Sequence, residues 1–223
     1  MSRSIVRQLV FKDLLLAWPM IVGSLVLGVV SFAIWPLGNV AFFVGASLVV
    51  VSLILLNIMV VSQSLIAERK EKIRVFMLSM PVSTTQYSVA KLLSSLIAYL
   101  VPAGLMTLAS VILVLTSPAP NGLIPLFVAT SVHCLFYFCV FLAFALVTDS
   151  QGWIATVIIC GNVSVSFVIP GLINLFPSLG PNLSTETAVW GPDVIAFITI
   201  ELVLAVAALA ISFVVNSKKT EFV

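Results

Sequence analysis

Residues 14–35, 40–66, 91–116, 123–147, 153–176 and 193–215 are six apolar runs, each long enough to cross a lipid bilayer. A helix rises about 1.5 Å per residue, so about 20 residues cover a hydrocarbon core of about 30 Å. The whole chain of 223 residues has only 18 charged side chains, ten Lys and Arg and eight Asp and Glu, and few of them fall within the runs. A soluble surface of that size cannot be clothed by so few charges. With 61% hydrophobic residues and a mean hydropathy of +1.27, lipid must be the outer solvent for most of the molecule. The expected fold is all-α: one polytopic domain over residues 1–223 with six transmembrane helices.

The same composition excludes several functions. No broad basic surface is present to neutralise phosphates, so nucleic acid is not an expected partner. Cys134, Cys139 and Cys160 lie in apolar stretches without CxxC spacing, and are expected to pack rather than to bind metal. No phosphate-binding loop, HExxH, nucleophile elbow or dinucleotide fingerprint occurs, and no catalytic set assembles. The chain is expected to hold no cofactor or metal and to hydrolyse no ATP by itself.

Residues 2–13 place Ile5, Val6, Leu9 and Val10 at helical spacing, with Arg3, Ser4, Arg7 and Gln8 towards another face. That pattern predicts an amphipathic helix at the membrane interface, ahead of the first span, with a short cytoplasmic extension of the first span as the plainer alternative. The first span is too long for a signal-peptide core and lacks a small-x-small cleavage site before soluble sequence, so it is expected to be retained. Trp18 and Trp35 sit near its two ends, where indole rings favour the headgroup boundary. The segment 36–39 is a tight turn, 117–122 a Pro- and Asn-rich turn, and 149–152 a short one. Residues 177–192 form a longer Pro- and Gly-rich connection, with room for a short interfacial helix anchored by Trp190. Pro102, Pro125 and the Pro170-Gly171 pair predict irregularities in the third, fourth and fifth spans.

The connection between the second and third spans differs from all the others. Residues 68–81 begin with Glu68, Arg69, Lys70, Glu71 and Lys72, then place Ile73, Phe76, Met77 and Met80 at helical spacing. Pro81 ends that helix, since it lacks an amide donor and restricts its predecessor. Ser83-Thr84-Thr85-Gln86 then supplies a cap and capping box for a new helix. Helix, break and capped helix predict a shaped connection rather than a loose loop.

Charge sets the orientation. Arg3, Arg7, Lys12, Arg69, Lys70, Lys72, Arg74, Lys91, Lys218 and Lys219 all fall at one end of a six-span bundle, and the opposite loops contain none. By the positive-inside bias both termini and the 68–91 connection are expected in the cytoplasm. Within the spans, Glu201 is the exceptional charge, about two turns into the sixth. Asn57, His133 and Asn162 are further polar candidates for a substrate path or a subunit interface. Each also has a plainer reading as a structural hydrogen-bonding group. Asn162, Ser164 and Ser166 make a polar thread along the fifth span.

Glu68-Arg69-Lys70, followed by Leu78-Ser79-Met80-Pro81-Val82-Ser83 and then Tyr87-Ser88-Val89-Ala90-Lys91-Leu92, resembles the ABC-2 type family of exporter permeases. Here Arg69-Lys70-Glu71-Lys72 replaces that family's acid-glycine-threonine stretch, and Met80 stands where leucine is frequent. The resemblance implies that residues 68–81 are a coupling helix contacting a separate nucleotide-binding ATPase, which binds ATP and Mg. Glu68, Arg69, Ile73, Phe76, Met77 and Pro81 are the coupling residues it implies. Residues 2–13 look like the family's elbow helix, and 177–192 like its extracellular insertion. The resemblance also implies two permease subunits, a second copy or a related chain, working in a bacterial cytoplasmic membrane. The expected function is the permease of an ATP-driven exporter moving an amphipathic or hydrophobic substrate. The alternatives are an ion-coupled secondary transporter and a non-transporting membrane anchor or sensor for an ATPase.

Overall fold

The structure, a computed structural model, describes residues 2–67, 84–148 and 150–217. The coupling segment 68–81, with Glu68, Arg69, Ile73, Phe76, Met77 and Pro81, lies outside the described residues. All described elements are helical: α1 (Ser2–Ile34), α2 (Asn39–Val61), α3 (Thr84–Thr116), α4 (Ile124–Val147), α5 (Gln151–Leu175) and α6 (Pro192–Ser217). Six of these helices are long and apolar enough to cross a membrane. The start of α1 and the end of α6, together with Lys12 and Lys91, mark what we call the basic end; its opposite is the loop end.

The helices depart from the sequence expectation in places. The segment 2–13 is helical but is not set apart as an interfacial helix, because α1 continues through it and past Pro19 without a break. The third helix begins at Thr84, as the expected cap at Ser83 requires, and runs without a break into the apolar run that starts two turns later. In both places Lys and Arg end the apolar pattern without ending the helix, since both are good helix formers. Pro125 falls in the first turn of α4, where its missing donor is not needed. The break expected at Pro170-Gly171 is absent, and α5 runs straight through. At the basic end of the second span, Ser62–Ala67 widens into a π-helical turn leading to the connection.

The bundle is organised around α4. Phe138, Phe141, Leu142 and Ala145 are wholly buried, and α4 touches α2, α3, α5 and α6, while α1 lies across α2 and α3. By contrast α5 and α6 show most of their apolar side chains to the outside, as Phe167 and Val206 do. Lipid is as apolar as leucine, so burial alone does not drive these contacts; close packing and hydrogen bonds do. Gly161 is one such contact: a Cβ built there would stand 1.7 Å from the Tyr137 ring, so only glycine lets α5 approach α4. Tyr137 in turn donates to the Ile158 carbonyl at 3.2 Å. Ser52 of α2 donates to the Ser24 carbonyl of α1 at 2.9 Å.

At the loop end, Gly38 holds φ +131°, a left-handed value that suits glycine in the tight turn before α2. Trp35 is not at the lipid boundary but buried, stacked on Phe127 with centroids 5.3 Å apart and tilted against Phe42 at 4.9 Å. Residues 176–191 hold one 3-10 turn, Gly180–Asn182, rather than an interfacial helix. They are tied down: Gly122 N–H donates to Thr185 O at 3.0 Å, Asn121 to Glu186 O at 2.8 Å, and Asp193 accepts from the amide and hydroxyl of Ser178. Leu179 packs beneath them with Ala129, Leu172 and Val194.

At the basic end a charged joint fastens α1 to α3. Lys91 Nζ lies 2.8 Å from Asp13 Oδ2, with both side chains buried, and Ser94 donates to the same oxygen at 3.1 Å. Stranding either charge alone should cost about 3–5 kcal/mol, whereas removing both is close to neutral. Asp13→Leu and Lys91→Met should each lower stability to denaturant in detergent, and the double variant should recover most of the loss. Gly161→Val should cost about 1–3 kcal/mol by overpacking, with partial recovery in Gly161→Val/Tyr137→Ala.

Candidate functional site

The one described Asp, Glu, Lys or Arg side chain deep in the spans, Glu201, lies against a neighbour 68 residues away in sequence. Glu201 of α6 and His133 of α4 each lie nine residues from the loop-end start of their helices, about 14 Å along the axis. The two helices therefore bring them to one depth. His133 Nδ1 stands 2.6 Å from Glu201 Oε1, and both side chains are more than nine-tenths buried. The other ring nitrogen, Nε2, is 3.1 Å from the Ser164 hydroxyl of α5, and that hydroxyl donates to the Gly161 carbonyl at 2.7 Å. Glu201 Oε2 has no hydrogen-bond partner among the described residues. Phe197 stacks on the imidazole at 6.5 Å between centroids, and Cys134 is buried beside it. Three helices thus meet on one ring.

Of the four candidates named from sequence inside the spans, the fold brings two together. Asn162 stays apart, half-buried, with its amide donating to its own Ile158 carbonyl at 3.0 Å. It is two residues from Ser164, about 200° round the helix, so the two cannot face the same neighbour. The polar thread therefore splits: Ser164 turns to the bundle, while Thr156, Ser166 and Asn174 are exposed and bond only to carbonyls of α5. Asn57 is fully buried on α2, and neither its amide nitrogen nor its oxygen has a partner among the described residues. Such a group costs about 1–3 kcal/mol when left unmade.

Sequence reasoning missed the Asp13–Lys91–Ser94 joint. The available signal was two opposite charges at the basic ends of successive long spans, each just inside the apolar run. An apolar cavity of ≈ 200 Å³ opens between α2, α4 and α5, lined by Phe42, Ala46, Leu53, Phe127, Thr130 and Ile173 among others. It reaches to within one turn of His133, through Thr130. Among the described residues no cluster of His, Cys, Asp and Glu could hold a metal ion, and the three cysteines are free, with Cys160 exposed rather than packed.

Comparison with curated proteins and with solved structures returns no match. Residues 35–199 match the family described as "ABC-2 family transporter protein", a stretch that takes in α2 to α5, the 68–83 connection and the first turns of α6. That stretch is well over half of the chain, and the helical, multi-span architecture agrees with it. The chain belongs to the ABC-2 transporter family of membrane proteins.

Proposed function

We propose that this chain is the permease subunit of an ATP-driven exporter, pairing with a second permease and driven by a separate ATPase that binds ATP and Mg. The observation that carries the reading is the family match across the connection between the second and third spans. That connection is the chain's densest run of charge, and it continues directly into α3, which the Asp13–Lys91 joint fastens to α1. A soluble partner gripping residues 68–81 would therefore move two helices as one. Glu68, Arg69, Ile73, Phe76, Met77 and Pro81 are the residues assigned to that grip.

The placement of all ten Lys and Arg at the basic end supports cytoplasmic termini in a bacterial inner membrane. The exposed polar residues of α5 support a second permease or a path beside it, since Thr156, Ser166 and Asn174 gain nothing from lipid. The ≈ 200 Å³ apolar cavity with Thr130 and Ser131 on its wall supports an amphipathic or hydrophobic substrate. Asn57, His133, Asn162 and Glu201 are assigned to the path or the subunit interface. An ion-coupled secondary transporter is the second reading, favoured by the buried His133–Glu201 pair.

Extraction from the native membrane in mild detergent tests the choice. A stoichiometric ATPase is expected to co-purify and to be lost with Phe76→Glu, while the helical circular dichroism stays unchanged. A stable preparation with no ATPase, even after crosslinking in the membrane, would overturn the exporter reading and bring the ion-coupled one forward. In the intact complex, Asn57→Leu should raise stability by about 1–3 kcal/mol and lower ATP hydrolysis several-fold. Unchanged hydrolysis would remove Asn57 from the path.

A further inference from the structure

His133 is the chain's single histidine, and its hydrogen bonds count protons. The Ser164 hydroxyl has one hydrogen, and its 2.7 Å contact with the Gly161 carbonyl uses it, because a carbonyl only accepts. Nε2, at the longer distance of 3.1 Å, must then donate to Ser164. On the far side of the ring, Nδ1 and Glu201 Oε1 are 2.6 Å apart, and two bare acceptors do not approach so closely. A proton lies between them. Either an imidazolium donates to a carboxylate, or a carboxylic acid donates to a neutral imidazole. In both cases the pair is neutral and carries one proton more than a neutral histidine beside an ionised glutamate.

No other described group can do the neutralising. The helix Asn39–Val61 has no ionisable side chain. In α3 the ionisable groups are Tyr87, Lys91 and Tyr99, and Lys91 sits at the basic end on Asp13. The charges of α1 up to Asp13 lie at that same end. Beyond His133, α4 offers Cys134, Tyr137 and Cys139, and α5 only Cys160. In α6 the other carboxylate is Asp193, at the loop end on Ser178. A carboxylate left uncompensated at the depth of Glu201 is costly, so proton occupancy and helix packing are linked here.

We propose that His133, Glu201 and Ser164 form an exchangeable proton-binding site joining α4, α5 and α6. When the proton leaves for the aqueous phase, Glu201 is ionised, Nδ1 keeps its hydrogen and Nε2 becomes bare. The Ser164 hydroxyl then turns from the Gly161 carbonyl and donates to Nε2. One proton is released, the site passes from neutral to a single negative charge, and the hydrogen bond to the α5 backbone is lost.

The test is nitrogen NMR of the full chain in lipid nanodiscs with 15N-labelled histidine, which has one residue to report. At about pH 6, Nε2 is expected to show a bonded hydrogen and the Nδ1–Oε1 proton a strongly deshielded signal. Alkaline titration should convert Nε2 to a bare nitrogen in one step, with helical circular dichroism unchanged. Glu201→Gln should abolish the deshielded signal. A bare Nε2 at that starting pH would overturn the site. An Nε2 hydrogen retained unchanged until the helices themselves are lost would overturn exchange. The wild-type titration decides alone if the variant does not fold.

Discussion

Hydrocarbon offers no hydrogen-bond partner, and most of this structure follows from that lack. Backbone groups crossing it must be satisfied within the segment, so every described span is a helix. Side chains obey the same rule. Ser31 bonds to the Leu27 carbonyl, Ser110 to Met106 and Ser52 across to Ser24, and even the exposed hydroxyls of Thr156 and Ser166 bond to carbonyls of their own helix. Charges follow it most strictly. Asp13 lies on Lys91 and Glu201 on His133, each pair buried and each drawn from two helices.

These two charged joints stand at different depths of the bundle. The Asp13–Lys91 joint holds α1 to α3 at the basic end, two turns from where the 68–83 connection enters α3. Moving α3 without α1 would strand an ion in a low-dielectric setting, which makes the two helices a single lever. The His133 joint holds α4, α5 and α6 nearer the loop end, where the 176–191 loop also ties the helix ends together. Between the joints, contacts are apolar and close, as where Tyr99 stacks on Phe138 at 4.1 Å. Asn57, Glu201 Oε2, Trp35 Nε1 and the Tyr99 hydroxyl are the buried polar groups that lack a hydrogen-bond partner among the described residues.

The spans, their number and their order were legible in the sequence because each rests on a local property, apolar length against membrane thickness. Boundaries were less legible at the basic end, where Lys12 and Lys91 interrupt hydropathy but not helix, and at Pro170, where the helix carries on. The Glu201, His133 and Asn57 side chains stood out as polar residues in apolar runs. What each one touches did not, and Ser164 looked no different from Asn162 or Ser166.

By itself, then, the sequence determined a six-span, all-helical membrane protein with its charge at one end, since hydrophobic length and charge bias act segment by segment. Only the tertiary structure decided that Glu201 meets His133, that Ser164 and not Asn162 completes the site, that Asp13 pairs with Lys91, and that Trp35 lies inside. Those outcomes depend on the rotation and depth of helices packed against one another, and partners up to 81 residues apart in the chain carry no local mark of their meeting.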